Sequence, residues 1–310
     1  MTAIDLFPDF AEHRVDTGEA AIYARTGGAG PGLLLLHGYP QSHAAWHRVA
    51  PALARSHTVV AADLRGYGRS SCPPSDMQHR AYSKRSMARD MTALMRHFGF
   101  SSFAVVGHDR GARVAYRLAL DLPHLVTRLV LLNIISTADQ WAAANQQMRL
   151  KMFHWALLAQ PAPMPESLIG RDPVTWLEGR IKRSTKSRSL EAIDPRALAD
   201  YRANFADPDR IHATCEDFRA GAHCDLADDE ADLAAGRRIE CPMFLLWSRE
   251  GPLADMPDPL ALWRPWCRNV SGARIDSGHF IAEESPGAFL DHAVPFLATA
   301  APPRRTGARS

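Results

Sequence analysis

Phe103-Ala104-Val105-Val106-Gly107-His108-Asp109-Arg110-Gly111-Ala112-Arg113-Val114-Ala115 is the stretch whose reading decides the fold. An apolar run from Phe103 to Val106 stops at Gly107, and a helix-compatible run starts at Arg110. Between them lies Gly-x-Asp-x-Gly, the pattern of a sharp strand-to-helix elbow that presents a nucleophile. Small residues flank such a turn because side chains there would collide with neighbouring backbone. The turn lifts the Asp109 carboxylate above the sheet edge, and the N-terminus of the following helix favours its ionised form. A carboxylate nucleophile forms an alkyl ester, which suggests displacement at carbon rather than acyl transfer. Taken alone, the motif suits equally an aspartate that caps a helix. Its company along the chain shifts the balance.

Upstream, residues 1–32 hold alternating segments and the Gly-rich turn Gly27-Gly28-Ala29-Gly30-Pro31-Gly32, read as a hairpin leading into a sheet. Leu33 to Leu36 is a wholly apolar strand of the kind found inside parallel sheets. A helical pattern around Trp46, Val49 and Leu53 follows, then a strand from Thr58 to Ala62 and a helix from Lys84 to Phe98. Downstream of the elbow, Leu129 to Leu132 and Met243 to Trp247 read as buried strands, and Ala273 to Ile275 as a short one. Helices are expected around Leu260 to Trp266 and from Glu283 to Leu297. The block between Ser136 and Gly236 has helical periodicity and no strand run, so it reads as a helical cap. The expected architecture is α/β: a mostly parallel central sheet with helices on both faces and a cap inserted after the sixth strand. Its core would comprise residues 1–135 and 237–300 and its cap 136–236, with 301–310 a disordered tail. In such sheets ligands collect at the carboxyl ends of the strands, where His37, Asp63, Asp109, Asn133, Glu250 and His279 all fall.

Bulk properties narrow the function. The 310 residues carry a formal net charge of +2, with 46% hydrophobic and 23% charged residues, as in ordinary soluble globular proteins. That balance gives no reason to expect nucleic acid or a membrane surface as partner. The first residues lack the basic and apolar regions of a secretion signal, and the five cysteines show neither metal-site nor disulfide spacing. A cytoplasmic protein with reduced thiols is expected. No ligand cluster suggests a metal, and no organic cofactor is expected.

From His37-Gly38-Tyr39-Pro40, through Gly107-His108-Asp109-Arg110-Gly111-Ala112-Arg113, Phe153-His154-Trp155 and Phe205-Ala206-Asp207-Pro208, to Ser277-Gly278-His279-Phe280, the sequence resembles the α/β-hydrolase fold and, within it, the haloacetate (fluoroacetate) dehalogenases. The resemblance implies that Asp109 attacks the halogen-bearing carbon and that His279 activates water against the resulting ester. Arg110 and Arg113 would hold the substrate carboxylate; three apart on a helix they share a face, and guanidinium suits that task. Backbone N–H groups of Tyr39 and Arg110 would stabilise an oxyanion, and His154 and Trp155 would receive the halide. The implied partners are a small halocarboxylate and water, and the implied assembly is a homodimer.

Two departures from that pattern stand out. The family's halide pocket has a tyrosine where Glu216-Asp217-Phe218-Arg219 has Phe218, which implies weaker defluorination than dechlorination. The family's histidine-orienting aspartate falls at Asn133, whose amide accepts a hydrogen bond but cannot neutralise an imidazolium. Either Glu250 or Asp255 supplies the acid instead, or the ester breaks down slowly. Epoxide hydrolases also use an elbow aspartate, but with cap tyrosines, and this cap contains only Tyr201. Haloalkane dehalogenases usually carry tryptophan where Arg110 stands, and a non-catalytic carboxylate binder is the remaining rival.

Overall fold

The computed structural model describes residues 5–143 and 146–298; the tail expected at 301–310 lies outside them. Eight strands form one sheet in the order β1-β2-β4-β3-β5-β6-β7-β8. They are β1 (Ala11–Asp16), β2 (Ala21–Gly27), β3 (Gly32–Leu36), β4 (Thr58–Ala62), β5 (Phe103–His108), β6 (Val126–Leu132), β7 (Met243–Ser248) and β8 (Val270–Ile275). β1 and β2 form the expected hairpin, β2 also pairs antiparallel with β4, and the remaining ladders are parallel. The hairpin turn is at Thr17–Ala20 rather than in the Gly-rich stretch, which instead crosses over to β3.

Apolar residues on the central strands point alternately to the two faces, as the period of two requires. Leu34, Leu36, Val60, Ala62, Val105, Leu129 and Leu131 pack into the larger core, and Leu33, Leu35, Val59, Ala61, Val106, Val130 and Leu132 into the smaller. The smaller is closed by α1 (Ala50–Leu53), α13 (Ile281–Glu284) and α14 (Pro286–Ala298). The single final helix expected from Glu283 is thus two, because Pro286 opens a new one. On the larger core lie α2 (Lys84–His97), α3 (Asp109–Asp121) and α12 (Pro259–Trp263).

Between β6 and β7, eight helices and no strand occur among the described residues. They are α4 (Thr137–Ala142), α5 (Gln146–Lys151), α6 (Phe153–Leu158), α7 (Met164–Ile169), α8 (Pro173–Ser184), α9 (Pro195–Phe205), α10 (Pro208–Ala222) and α11 (Cys224–Ala234). Asp-Pro starts α8, α9, α10 and α12: the aspartate accepts from the first turn, and proline fits where no N–H is needed. Buried ion pairs fasten these helices to α3. Arg110 meets Asp217 of α10, and Arg117, two turns further on, meets Asp229 and Asp232 of α11. No helix among the described residues is long and apolar enough to cross a membrane.

Candidate active site

The elbow has the close packing its glycines imply. A Cβ on Gly107 would lie 2.6 Å from Ala112 Cα, and one on Gly111 2.3 Å from the His37 carbonyl oxygen. Gly38, after β3, is equally constrained: its Cβ would sit 2.4 Å from that of Asp109. Asp109 itself has φ 48°, a left-handed conformation that costs a non-glycine residue roughly 1–3 kcal/mol and that surrounding structure must enforce.

Tyr39 N–H donates to Asp109 Oδ1 at 3.0 Å, and His279 Nε2 lies 3.7 Å from Asp109 Oδ2. Burial alone would raise the Asp109 pKa, but hydrogen bonding and charge from His279, with help from the Arg110 guanidinium, hold it well below the usual carboxylate range. Asp109 is therefore an anion with one oxygen occupied by backbone and the other facing the histidine. Arg110 N–H stands in the first turn of α3 and makes no hydrogen bond to this carboxylate, so only the Tyr39 half of the expected N–H pair is engaged.

Asn133 does not orient the imidazole. Its Oδ1 accepts from Ser248 N at 2.9 Å and Ser248 Oγ at 3.1 Å, while its Nδ2 donates to the His279 carbonyl at 3.1 Å. Because one partner is a backbone donor and the other a carbonyl, the amide has no freedom to turn over. Neither acid offered as a substitute bonds to the ring: Asp255 pairs with Lys151, and Glu250 lines the cavity without a hydrogen bond to His279. His279 Nδ1 is buried and has no partner. The residue is held by its main chain instead. Its N–H donates to Ser184 of the cap at 2.8 Å, and its carbonyl also accepts from His108 Nε2 at 3.0 Å. Around it, the Glu284 carboxylate accepts from Gly278 N, Phe280 N and Lys186 N.

A cavity of about 340 Å³ opens above Asp109, with His279, Arg113, His154, Trp155 and Tyr39 on its wall. Arg113 donates to Thr137 Oγ1 at 2.9 Å and lies 4.5 Å from the Trp155 ring centroid. Arg110 stands behind the wall. Its Nε and Nη2 each bond Asp217 at 2.8 Å, and its guanidinium lies 4.2 Å from the Phe218 ring centroid. Phe218 likewise backs Tyr39, His154 and Trp155 rather than lining the cavity, so a hydroxyl absent there is not missing from the cavity wall. Tyr201, the cap tyrosine, is also outside this wall and donates to Glu283 at 3.0 Å.

Arg180 of α8 was not anticipated. Its Nη2 lies 3.3 Å from His154 Nε2. A guanidinium only donates, so His154 Nε2 accepts and the imidazole proton sits on Nδ1. Burial keeps that imidazole neutral. On the same helix, Trp176 Nε1 donates to the Tyr39 hydroxyl at 2.6 Å. Trp176, Arg180 and Arg183 recur at helical spacing on one face, a signal available in the sequence. Five buried donor nitrogens around Asp109 lack partners among the described residues: Arg110 Nη1, Arg113 Nε, Arg180 Nε and Nη1, and His154 Nδ1. The site is built to receive an anion.

A family model described as alpha/beta hydrolase fold matches residues 31–286. The chain belongs to the α/β-hydrolase fold family. This α/β hydrolase is 41% identical over 281 residues to a fluoroacetate dehalogenase from Burkholderia sp, covering 91% of each chain. It is 31% identical over 279 residues to a soluble epoxide hydrolase from Corynebacterium sp. (strain C12), covering 88% of this chain and 92% of the relative. A crystal structure of a Nostoc sp PCC 7120 protein assigned to the same fold superposes with TM-score 0.92 at 46% identity, covering 95% of this chain and all of the other.

Proposed function

We propose that this α/β hydrolase is a hydrolytic dehalogenase of small 2-haloacids. The observation that carries the reading is the set of five unpartnered buried donors gathered around an ionised aspartate on an elbow. Guanidinium groups offset the repulsion between an anionic substrate and an anionic nucleophile. The substrate carboxylate would take Arg113 Nε on the cavity wall, with the Arg110 guanidinium behind that wall adding positive charge, leaving the carbon bearing halogen above Asp109. Oδ2, free of backbone hydrogen bonds, attacks that carbon as the halide leaves with the bonding pair toward His154 and Trp155. Oδ1 then becomes the ester carbonyl oxygen, already under the Tyr39 N–H that would stabilise the oxyanion. His279 takes a proton from water, which adds to the Asp109 carbonyl carbon; collapse releases the hydroxy acid and restores the carboxylate. Overall, haloacid and water give hydroxy acid, halide and a proton.

Identity to a fluoroacetate dehalogenase over nearly the whole chain supports this reading. Epoxide hydrolysis is the rival because of the 31% identical relative, but the cap tyrosine it would use to protonate an epoxide is bound to Glu283. Halide release from fluoro-, chloro- and bromoacetate, beside diol formation from a neutral epoxide, separates the two. Halide release abolished in Asp109→Ala is expected; diol formation without halide release from any haloacid overturns the proposal.

A further inference from the structure

Arg180 has a surplus that the reaction with a simple haloacetate leaves unused. Buried arginines away from the cavity meet carboxylates, as Arg25 meets Asp5, Arg65 Asp90, Arg117 Asp229 and Arg219 Glu166, whereas Arg113 on the cavity wall has only Thr137. Arg180 meets none among the described residues, and two of its nitrogens, Nε and Nη1, have no acceptor. Arg180 is half-buried, and a partly desolvated charge without a counter-ion carries a cost that a ligand supplying one offsets. Burial also lowers its pKa, in keeping with a guanidinium that lacks a counter-ion.

We propose that Arg180 is a second anion-binding group and that the substrate is a 2-halodicarboxylate, its far carboxylate reaching the cap. The proposal rests on the dehalogenase reading above and names its substrate class. Arg110 and Arg113 belong to α3 in the core, whereas Arg180 belongs to α8 in the cap, so the two anion sites stand on separate elements. In an in-line displacement the nucleophile and the leaving group occupy opposite sides of the carbon. With one carboxylate on α3, another substituent is free to extend toward α8. The cavity has room for it: about 340 Å³ corresponds to roughly ten waters at ~30 Å³ each, and a two-carbon haloacid fills only part of that. Its outer wall is cationic as well. Lys151, Arg183, Arg188 and Arg249 line it against Glu250 and Asp255, and Asp255 is already paired with Lys151.

The test compares 2-chlorosuccinate with 2-chloro-4-methylpentanoate, which replaces the far carboxylate by an uncharged group of similar shape. In the native protein kcat/KM is expected to favour chlorosuccinate by about tenfold or more. Arg180→Met should erase that preference, chiefly through KM, and Arg180→Lys should retain part of it. Equal kcat/KM for the two acids in the native protein, or a preference that survives Arg180→Met, overturns the proposal. Should no haloacid release halide, the dehalogenase reading falls, and calorimetry with the unreactive succinate and 4-methylpentanoate decides the anion site by itself. Tighter binding of succinate, lost in Arg180→Met, upholds it; equal binding overturns it.

Discussion

Asn133 and His279 meet through the main chain: the Asn133 amide donates to the His279 carbonyl at 3.1 Å and leaves the imidazole Nδ1 without an acceptor. An imidazolium formed during water activation therefore has no anion behind it. In serine proteases, removing that anion costs about ten-thousandfold in rate. Alkylation of Asp109 needs no such help.

Ester hydrolysis is accordingly expected to be slower than ester formation. Rapid-mixing with chloroacetate should show a burst of halide close to one equivalent per site, followed by a slower phase. Intact-mass measurement during turnover should show the matching adduct on Asp109, and His279→Ala should make it persist. A linear time course with no adduct would sink the idea.

Replacing Asn133 by alanine should act on stability and on the second phase together. Ser248 N–H is left unsatisfied, at about 1–3 kcal/mol, while the His279 carbonyl loses one of its two donors and keeps His108. Urea unfolding measures the first effect. The amplitude of the halide burst, expected to stay near one equivalent while the later phase slows, measures the second.

Asp217 holds Arg110 in place from α10 and is itself gripped by Lys84 and the Tyr67 hydroxyl. Asp217→Asn leaves two buried cations with less counter-charge, so a stability loss of about 3 kcal/mol is expected. Because Arg110 then lacks a fixed orientation, KM for haloacids should rise more than kcat falls. An unchanged KM in a folded variant would remove Arg110 from substrate binding.

Behind His279 runs a chain of contacts from His108 through Gln41 to Glu283. His108 is neutral, its pKa pushed down to about 3 chiefly by burial, and its Nε2–H donates to a carbonyl, so its Nδ1 must accept. The structure sets Gln41 Oε1 against His108 Nδ1 and Gln41 Nε2 against Glu283, so a neutral His108 requires this amide to be turned over, its NH₂ toward His108 and its oxygen toward a protonated Glu283. Burial pushes the Glu283 carboxyl up to about 8, consistent with that proton. A raised carboxyl pKa stabilises the fold fully below the unfolded value of 4.5, and the contribution is lost as pH rises toward 8. Melting temperature should fall across that window, and Glu283→Gln, which keeps the donor, should flatten the fall. Parallel pH profiles for the two proteins would contradict the assignment.

The elbow and the central strands were legible because their physics is local. Period-two burial of Leu33 to Leu36 and the two glycines around Asp109 need no knowledge of distant residues. Asn133 was misread because its role depends on Ser248, brought beside it only by the β6–β7 pairing. Arg110 and Phe218 are both expected at the substrate pocket, but whether a side chain lines a cavity or backs it depends on how α10 packs. Arg180 does not stand out among many arginines in a mixed-charge helix, since what sets it apart is the absence of a carboxylate beside it. The break before α14 is readable from Pro286, which cannot continue the preceding helix.

A Cβ on Gly278 would lie 2.3 Å from the Lys186 backbone nitrogen, so the histidine loop and the cap loop that follows α8 leave no slack between them. Because the His279 N–H also donates to Ser184 at the end of α8, a displacement of α8 would carry His279 with it. In the reaction proposed above, water would be activated only with the door shut, and the ester would be shielded from bulk solvent until the product is ready to go.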